Sequence, residues 1–312
     1  MLTSKRVKII NTSQMSKIAW NNVDWTIVQK RTSRQQRRVY KASKAGNKTV
    51  VQALQRRIIG SLDAELLAVR QVTNRNIGHN NAGVKTISHN KKIELAYRLK
   101  LNGNPNSLIR IYIPKPGKRK HYPFDIPDCA KQMLAKLALE PEWEAIFESN
   151  SYGFRPGRSY NDAISALFLP LKKKSQYVLL ADIQKCFDSI DHNKLLNKLA
   201  TFVQMENQVK TWLKMGIIRG YSKRPNEVFR SIESTPIDSI ISPLLVNIAM
   251  HGLENHIKNW YINNWYPTIG ANFKLTKQER KWTIGFSRYG DDFVIITPKR
   301  EDIIQIKSKI SK

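Results

Sequence analysis

Three carboxylates fall where carboxylates are costly. Asp182 closes the apolar run Tyr177-Val-Leu-Leu-Ala181, and Asp291-Asp292 follow Tyr289-Gly290 in a turn between two apolar segments, 282–288 and 293–297. Like charges gathered in a poorly solvated cleft repel one another unless a cation lies between them. Such a cluster in an otherwise basic chain is the expected seat of Mg2+. Two such ions about 4 Å apart activate a 3′-hydroxyl and stabilise a leaving pyrophosphate in an in-line displacement. Gly290 fits this arrangement, because a tight hairpin turn commonly needs φ > 0. The plainer alternative has Asp292 capping a turn and Asp182 capping the next helix.

The remaining charge sets the background. The 312 residues carry 53 Lys and Arg against 24 Asp and Glu, a formal +29. Residues 1–60 hold fourteen of the bases and a single acid, Asp24. A surplus of this size repels itself unless a polyanion is the usual partner, which points to nucleic acid, with an anionic membrane surface as the minor competitor. No run reaches the roughly 20 apolar residues of a spanning helix, so no integral membrane segment is expected. Two cysteines, Cys129 and Cys186, make neither a disulfide framework nor a zinc site. Abundant Lys, Ile and Asn hint at an AT-rich genome.

The elements that must hold the carboxylates can be read coarsely. Residues 1–16 form a flexible basic lead-in. A helix is expected from Asp24 to about 45, with Arg34, Arg37, Arg38 and Lys41 on its polar face. A single helix over 48–70 would bury the stripe Val51, Leu54, Ile58, Leu62, Leu66 and Val69. A short helix at 90–100 and an alternating strand at 108–113 follow. The basic turn Lys115-Pro-Gly-Lys-Arg-Lys120 comes next. Helical patterns return at 128–139 and 159–171, the apolar run 177–181 reads as a buried strand, and helices are expected over 192–215 and 242–260. The last unit is the hairpin 282–297. The fold class is α+β, with the sheet carrying the acids.

Several blocks resemble the group II intron-encoded reverse transcriptase and maturase family. Ala181-Asp-Ile-Gln-Lys-Cys-Phe-Asp-Ser-Ile-Asp-His192 is similar to its block carrying the first metal aspartate. Ser151-Tyr-Gly-Phe-Arg-Pro-Gly-Arg-Ser159, Ile240-Ile-Ser-Pro-Leu-Leu-Val-Asn-Ile248 and Arg288-Tyr-Gly-Asp-Asp-Phe-Val294 resemble others in the same order. In the last block the family more often has Ala before the two Asp. Residues 20–86, including Trp25 and Leu54-Gln-Arg-Arg-Ile58, look like its N-terminal extension.

The resemblance implies right-hand polymerase fingers and palm over 101–312, an antiparallel palm sheet, and a helical, basic N-terminal extension over 17–100. It implies a chain that stops short of the thumb and maturase domain. Asp182 and Asp291 become the principal ligands of two Mg2+, with Asp292 in support. Phe187, five residues past Asp182, falls where the family places a ring under the incoming sugar; the alternative is an ordinary core Phe. Lys118, Arg119, Lys120 and Ile183 are the nucleotide-side candidates, although a solvated turn accounts for the three bases as well. Arg155 and Arg158 flank Pro156-Gly157 and can lie along a nucleic-acid backbone, or else surround a helix cap as solvated arginines. Arg34, Arg37 and Arg38 are candidates for gripping RNA. Tyr40, Trp20 and Trp25 can stack on unpaired bases, although core packing fits both tryptophans better.

Two substitutions touch the substrate side. Tyr122 stands where the family has an arginine, so a bidentate donor is lost. Thr235-Pro-Ile-Asp-Ser239 stands where it reads Pro-Gln-Gly, so Ile237 and Asp238 replace a hydrogen-bonding side chain and a glycine. The implied partners are group II intron RNA, an RNA template with a DNA primer, dNTP, and a separate polypeptide supplying the thumb and maturase parts. The implied location is a plastid or other organelle, with the bacterial cytoplasm as alternative. The competing readings are a splicing cofactor that binds RNA without catalysis, and a reverse transcriptase of a retron or diversity-generating element.

Overall fold

Asp24 starts the first long helix. Its carboxylate accepts a hydrogen bond from the backbone N–H of Ile27 at 3.0 Å, satisfying one of the donors a helix start leaves free. The computed structural model describes residues 19–75, 87–103, 108–110, 126–172, 176–183, 186–214, 216–219, 228–230, 240–264 and 284–310. In chain order a short 3-10 turn at Trp20–Asn22 precedes α1 (Trp25–Lys44), α2 (Lys48–Ile59), α3 (Leu62–Arg75), α4 (His89–Arg98), β1 (Leu108–Arg110) and α5 (Ile126–Glu144). There follow α6 (Tyr160–Leu171), β2 (Tyr177–Asp182), α7 (Cys186–Ser189), α8 (His192–Leu199), α9 (Val203–Leu213), β3 (Gly216–Arg219) and β4 (Val228–Arg230). The last elements are α10 (Ser242–Met250), α11 (Leu253–Asn264), β5 (Gly285–Tyr289), β6 (Asp292–Thr297) and α12 (Arg300–Ile310).

Three helices expected as continuous are each divided. The span 48–70 breaks after Ile59, where the Gly60 N–H caps α2 on the Arg56 carbonyl. The apolar stripe hides the break, because Ile58 and Leu62 are still one helical step apart. The span 192–215 breaks at Ala200, whose φ of 43° ends α8. The span 242–260 breaks at Gly252, φ 99°, between α10 and α11. The strand expected at 108–113 is described only over 108–110.

The chain divides into two compact units. The first takes the described residues up to Ala145, those from Thr201 to β4, and 240–241; the second takes the rest. In the first, α5 packs with α1, α2 and α3, because Ala130, Leu134, Ala135, Ala138 and Leu139 are all buried. Side chains tie these helices together: Gln36 donates to the Leu137 carbonyl at 3.0 Å, Ser43 to that of Glu142 at 2.8 Å, and Gln55 to the Glu142 carboxylate at 2.6 Å. Trp20 and Trp25 pack with ring centroids 4.7 Å apart and planes tilted by 59°, with Lys92 over the first and Arg70 over the second, so both serve packing. The small sheet of this unit has the order β1-β3-β4, parallel then antiparallel.

The second unit is built on an antiparallel sheet of order β2-β6-β5. Phe286, Phe293 and Ile295 project from one face into a core with Ile257, Tyr261 and Ile306. Each such side chain removed from water contributes about 1.5–3 kcal/mol. Strand β2, expected to be buried, is covered on this face only. Leu179 and Ala181 pack against the core, whereas Val178 and Leu180 point the other way and are exposed, Leu180 by 76%. A short apolar run cannot by itself say how many of its faces are covered.

Candidate active site

The hairpin turn comes from its residues. Tyr289 and Asp292 are the last paired residues of β5 and β6, leaving Gly290 and Asp291 as a two-residue loop. Such loops need positive φ, and Gly290 supplies it at +71°. On the neighbouring strand Asp182 pairs with Asp292, so their side chains leave the same face of the sheet, opposite the core. A slip of one residue would send Asp182 into the core face, so burial of Ala181 and Phe293 fixes where the acid stands. Helix α6 lies over β5 on this same face: Ser287 donates to the Ala163 carbonyl at 3.1 Å, and Gly285 leaves its neighbour Pro170 room. An open cavity of about 440 Å³ remains, lined in part by Tyr160, Ile164, Leu180, Asp182, Tyr289 and Asp292.

The electrostatics follow the geometry. Burial, then the charges of Asp291 and Asp182, raise the Asp292 carboxyl above its ordinary value. The Cys186 thiol is pushed up to about 11 by burial, with Asp291 and Asp182 contributing, so the negative potential reaches past the acids. Oxygen-only donors under mutual repulsion suit a hard cation such as Mg2+. As the side chains stand, no three acids, His or Cys converge closely enough to hold an ion among the described residues. Asp182, Asp291 and Asp292 share one patch of surface without forming a closed cage.

Behind the turn sits a second constellation. Arg288 is 1% exposed, on the core side of β5. Its Nη1 donates to the Gly290 carbonyl at 2.8 Å and to Asn247 Oδ1 at 3.0 Å, and its Nη2 to Ser151 Oγ at 2.6 Å. Asn247, on α10, turns its Nδ2 to the Gly153 carbonyl at 2.8 Å. Backbone bonds double the tie, from Tyr152 N to the Arg288 carbonyl and from Arg288 N to that of Asn150. Burial pulls the Arg288 pKa down to about 10, opposed by Glu148. The segment 148–153 is itself anchored. Glu148 accepts from Gly252 N and Asn255 N at the start of α11, and Glu254 accepts from the Asn150 amide.

The other expected site residues fall in different places. Arg155 is 6% exposed, and its Nη1 donates to the carbonyls of Glu148 and Ser151 at 2.9 and 2.7 Å. Its guanidinium braces its own loop over the Phe147 ring. Arg158 is half-buried, donating to the Ser149 carbonyl and lying over Tyr152. Ile183 packs against the core beside Asp182. Phe187 lies in α7, and its side chain is outside the described residues, as are Lys118, Arg119, Lys120, Tyr122, Ile237 and Asp238. Arg34, Arg37 and Arg38 are exposed on α1, with Tyr40 exposed beside them, in the first unit. Asn247 was not singled out by sequence reasoning; its signal is a lone amide in the apolar helix Ser-Pro-Leu-Leu-Val-Asn-Ile-Ala-Met.

The pattern of reverse transcriptase (RNA-dependent DNA polymerase) matches residues 113–312, and that of the N-terminal domain of reverse transcriptase matches 20–99. The chain belongs to the reverse transcriptase family. Its curated relatives include intron-encoded and maturase-like proteins. Maturase-like protein 1 of Euglena gracilis is 30% identical over 242 residues, 70% of this chain and 48% of that protein. Group II intron-encoded protein LtrA of Lactococcus lactis subsp. cremoris is 30% identical over 162 residues, 49% of this chain and 26% of that protein. Protein YkfC of Escherichia coli is 31% identical over 206 residues, 60% of this chain and 53% of that protein. The chain thus spans about half, or less, of the length of these relatives. Among the described residues no helix is long and apolar enough to cross a membrane.

Proposed function

We propose that the chain is an RNA-directed DNA polymerase of the intron-encoded, maturase type. The observation that carries this reading is the pairing of Asp182 with Asp292 beside the Gly290-Asp291 turn, which puts three carboxylates at one end of one sheet face. Asp182 and Asp291 are the principal holders of Mg2+ and Asp292 supports them. When bound, the ions lower the pKa of an attacking hydroxyl and neutralise charge on the leaving group. The protein's own part is to keep the carboxylates ionised, side by side and open to the cavity between α6 and β2. Phe187 serves as the ring under the incoming sugar, and Lys118, Arg119, Lys120 and Ile183 serve the nucleotide side. Arg158 faces the nucleic-acid backbone, while Arg155 holds the loop that presents it.

Template-directed extension then requires an RNA template, a DNA primer, dNTP and the remaining family segments, in the same or a separate polypeptide. Primer extension in the presence of those segments tests the reading. Activity that vanishes with Asp291→Asn supports it, and a folded preparation that extends no primer overturns it.

A second reading has its own observation. The exposed basic face of α1, with Arg34, Arg37 and Arg38, belongs to the unit that lacks the aspartates. Binding of group II intron RNA in support of splicing can then proceed without catalysis. Intron binding that survives Asp182→Asn, together with assisted splicing by that variant, favours it. The organisms of the relatives, a euglenid and bacteria, fit either an organelle such as a plastid or the bacterial cytoplasm.

A further inference from the structure

Arg288 presents a physical problem. A fully buried guanidinium costs several kcal/mol to desolvate, and a fold recovers that cost best by pairing it with a carboxylate. Among the described residues no ion pair is formed by Arg288. Its acceptors there are a carbonyl, an amide oxygen and a hydroxyl, on Gly290, Asn247 and Ser151, and its Nε is buried without a hydrogen-bond partner. Stability alone would favour an apolar residue here, as at the neighbouring core positions Phe286 and Phe293. What the charge does achieve is geometric. One guanidinium reaches the turn that carries Asp291, the helix α10 and the segment 150–153 at once.

Asn247 completes the connection. It receives Arg288 on its oxygen and passes its amide on to Gly153, whose backbone lies against that of Gly290. The carbonyl of Gly290 is thus held by a donor fixed on two further elements. A two-residue hairpin loop is ordinarily held only by its flanking ladder. Here the loop is also fixed from beneath.

Resting on the polymerase reading above, we infer that Arg288 and Asn247 are positioning residues: a buried clamp that sets where Asp291 stands relative to Asp182, and so the affinity of the site for its divalent cations. Neither side chain touches the reacting groups. The clamp acts through the Gly290 carbonyl and through the segment at Ser151–Gly153. A carboxylate pair tolerates little displacement, since misplacement on the order of 1 Å in such a site costs about 10²-fold in rate.

The test uses the whole chain and two readouts. Asn247→Leu removes both hydrogen bonds while keeping the branched heavy-atom skeleton, Arg288→Lys keeps the charge but loses the fork, and Ser151→Ala removes one bond only. Amide hydrogen exchange is followed in peptides covering 289–292, with the β2 peptide as internal control. Mn2+ affinity is read by electron paramagnetic resonance on the protein alone, with Asp291→Asn as reference. Exchange at the turn at least tenfold faster, β2 unchanged, and Mn2+ bound about tenfold more weakly in Asn247→Leu or Arg288→Lys supports the clamp, with Ser151→Ala intermediate. Unchanged exchange at the turn in a folded variant overturns it. So does faster exchange with unaltered Mn2+ affinity, which would leave the pair a merely structural role, and so does a wild type whose Mn2+ binding is indifferent to Asp291→Asn. If Asn247→Leu fails to fold, Arg288→Lys and Ser151→Ala decide on the same criteria. Absence of primer extension with Asp291-dependent Mn2+ binding intact would refute the polymerase reading and leave the clamp standing.

Discussion

Gly153 and Gly290 meet backbone to backbone: a Cβ on Gly153 would stand 2.3 Å from the nitrogen of Gly290 and 2.8 Å from the carbonyl carbon of Tyr289. Nothing there is the loose end of a side chain, so the strain would fall on the turn that carries Asp291. Gly153→Ala is expected to lower primer extension by roughly 10²-fold and to cost at least about 1–3 kcal/mol of stability. Gly60 is the control, because its φ of −104° suits any residue and a Cβ there meets only the Arg56 carbonyl oxygen, at 3.5 Å. Comparison of kcat and the thermal midpoint for the two variants checks the prediction; equal activity losses would contradict it.

The acids should show their repulsion in the pH dependence of stability. The Asp292 carboxyl sits above its unfolded value, chiefly through burial and then through Asp291 and Asp182. For an acid raised in this way, its favourable contribution is present below the unfolded pKa and is lost as pH rises through the folded one. At neutral pH Mg2+ should therefore raise the thermal midpoint, and at mildly acidic pH it should do so less. Asp291→Asn should raise the metal-free midpoint at neutral pH and abolish the response to Mg2+. A midpoint indifferent to the ion in the wild type would refute this.

Glu65 offers a second titration, far simpler because it is a single group. Burial raises it from 4.5 to about 7, with Lys100 opposing. The folded state therefore binds its proton more tightly, and stability is lost as pH climbs from 4.5 through about 7. Glu65→Gln removes that loss. The variant should gain on the wild type above neutrality and match or trail it near the lower end of the window, as read by denaturant midpoints across pH.

The arginines of α1 should behave as phosphate contacts. Replacing Arg34, Arg37 and Arg38 together by Ala should flatten the slope of log affinity for structured RNA against log salt by roughly 2–3. Asp182→Asn should leave that slope alone. A slope unchanged by the triple variant would place the RNA-binding face elsewhere.

Much of this was legible in the letters, and the exceptions have physical causes. Asp24 marks the start of α1, and the turn with Gly290 between two apolar strands marks the hairpin, because caps and turns act over three or four residues. The breaks at Gly60, Ala200 and Gly252 were missed, since an apolar stripe carries through them. The letters allow Arg155 a place along a nucleic-acid backbone or in solvent around a helix cap, and it braces its loop instead, because sequence does not show which guanidinium meets a carbonyl and which meets solvent. Asn247 and Arg288 lie far apart in the chain, and only the folded sheet joins them. The faces of β2 were misread for the same reason: apolar letters do not tell what covers them.

That last feature governs how the protein will behave in a tube. Tyr160, Ile164 and Phe168 form an exposed row along α6, and Val178 and Leu180 are bare on β2. A chain at +29 keeps its copies apart while that charge is felt at a distance. Added salt shortens this reach to about 8 Å at physiological strength, and the oily surfaces are then free to meet. The salt that would weaken phosphate contacts of the basic helices is thus the salt that invites clumping. Solubility should fall as ionic strength rises, and Leu180→Ser should make the fall shallower.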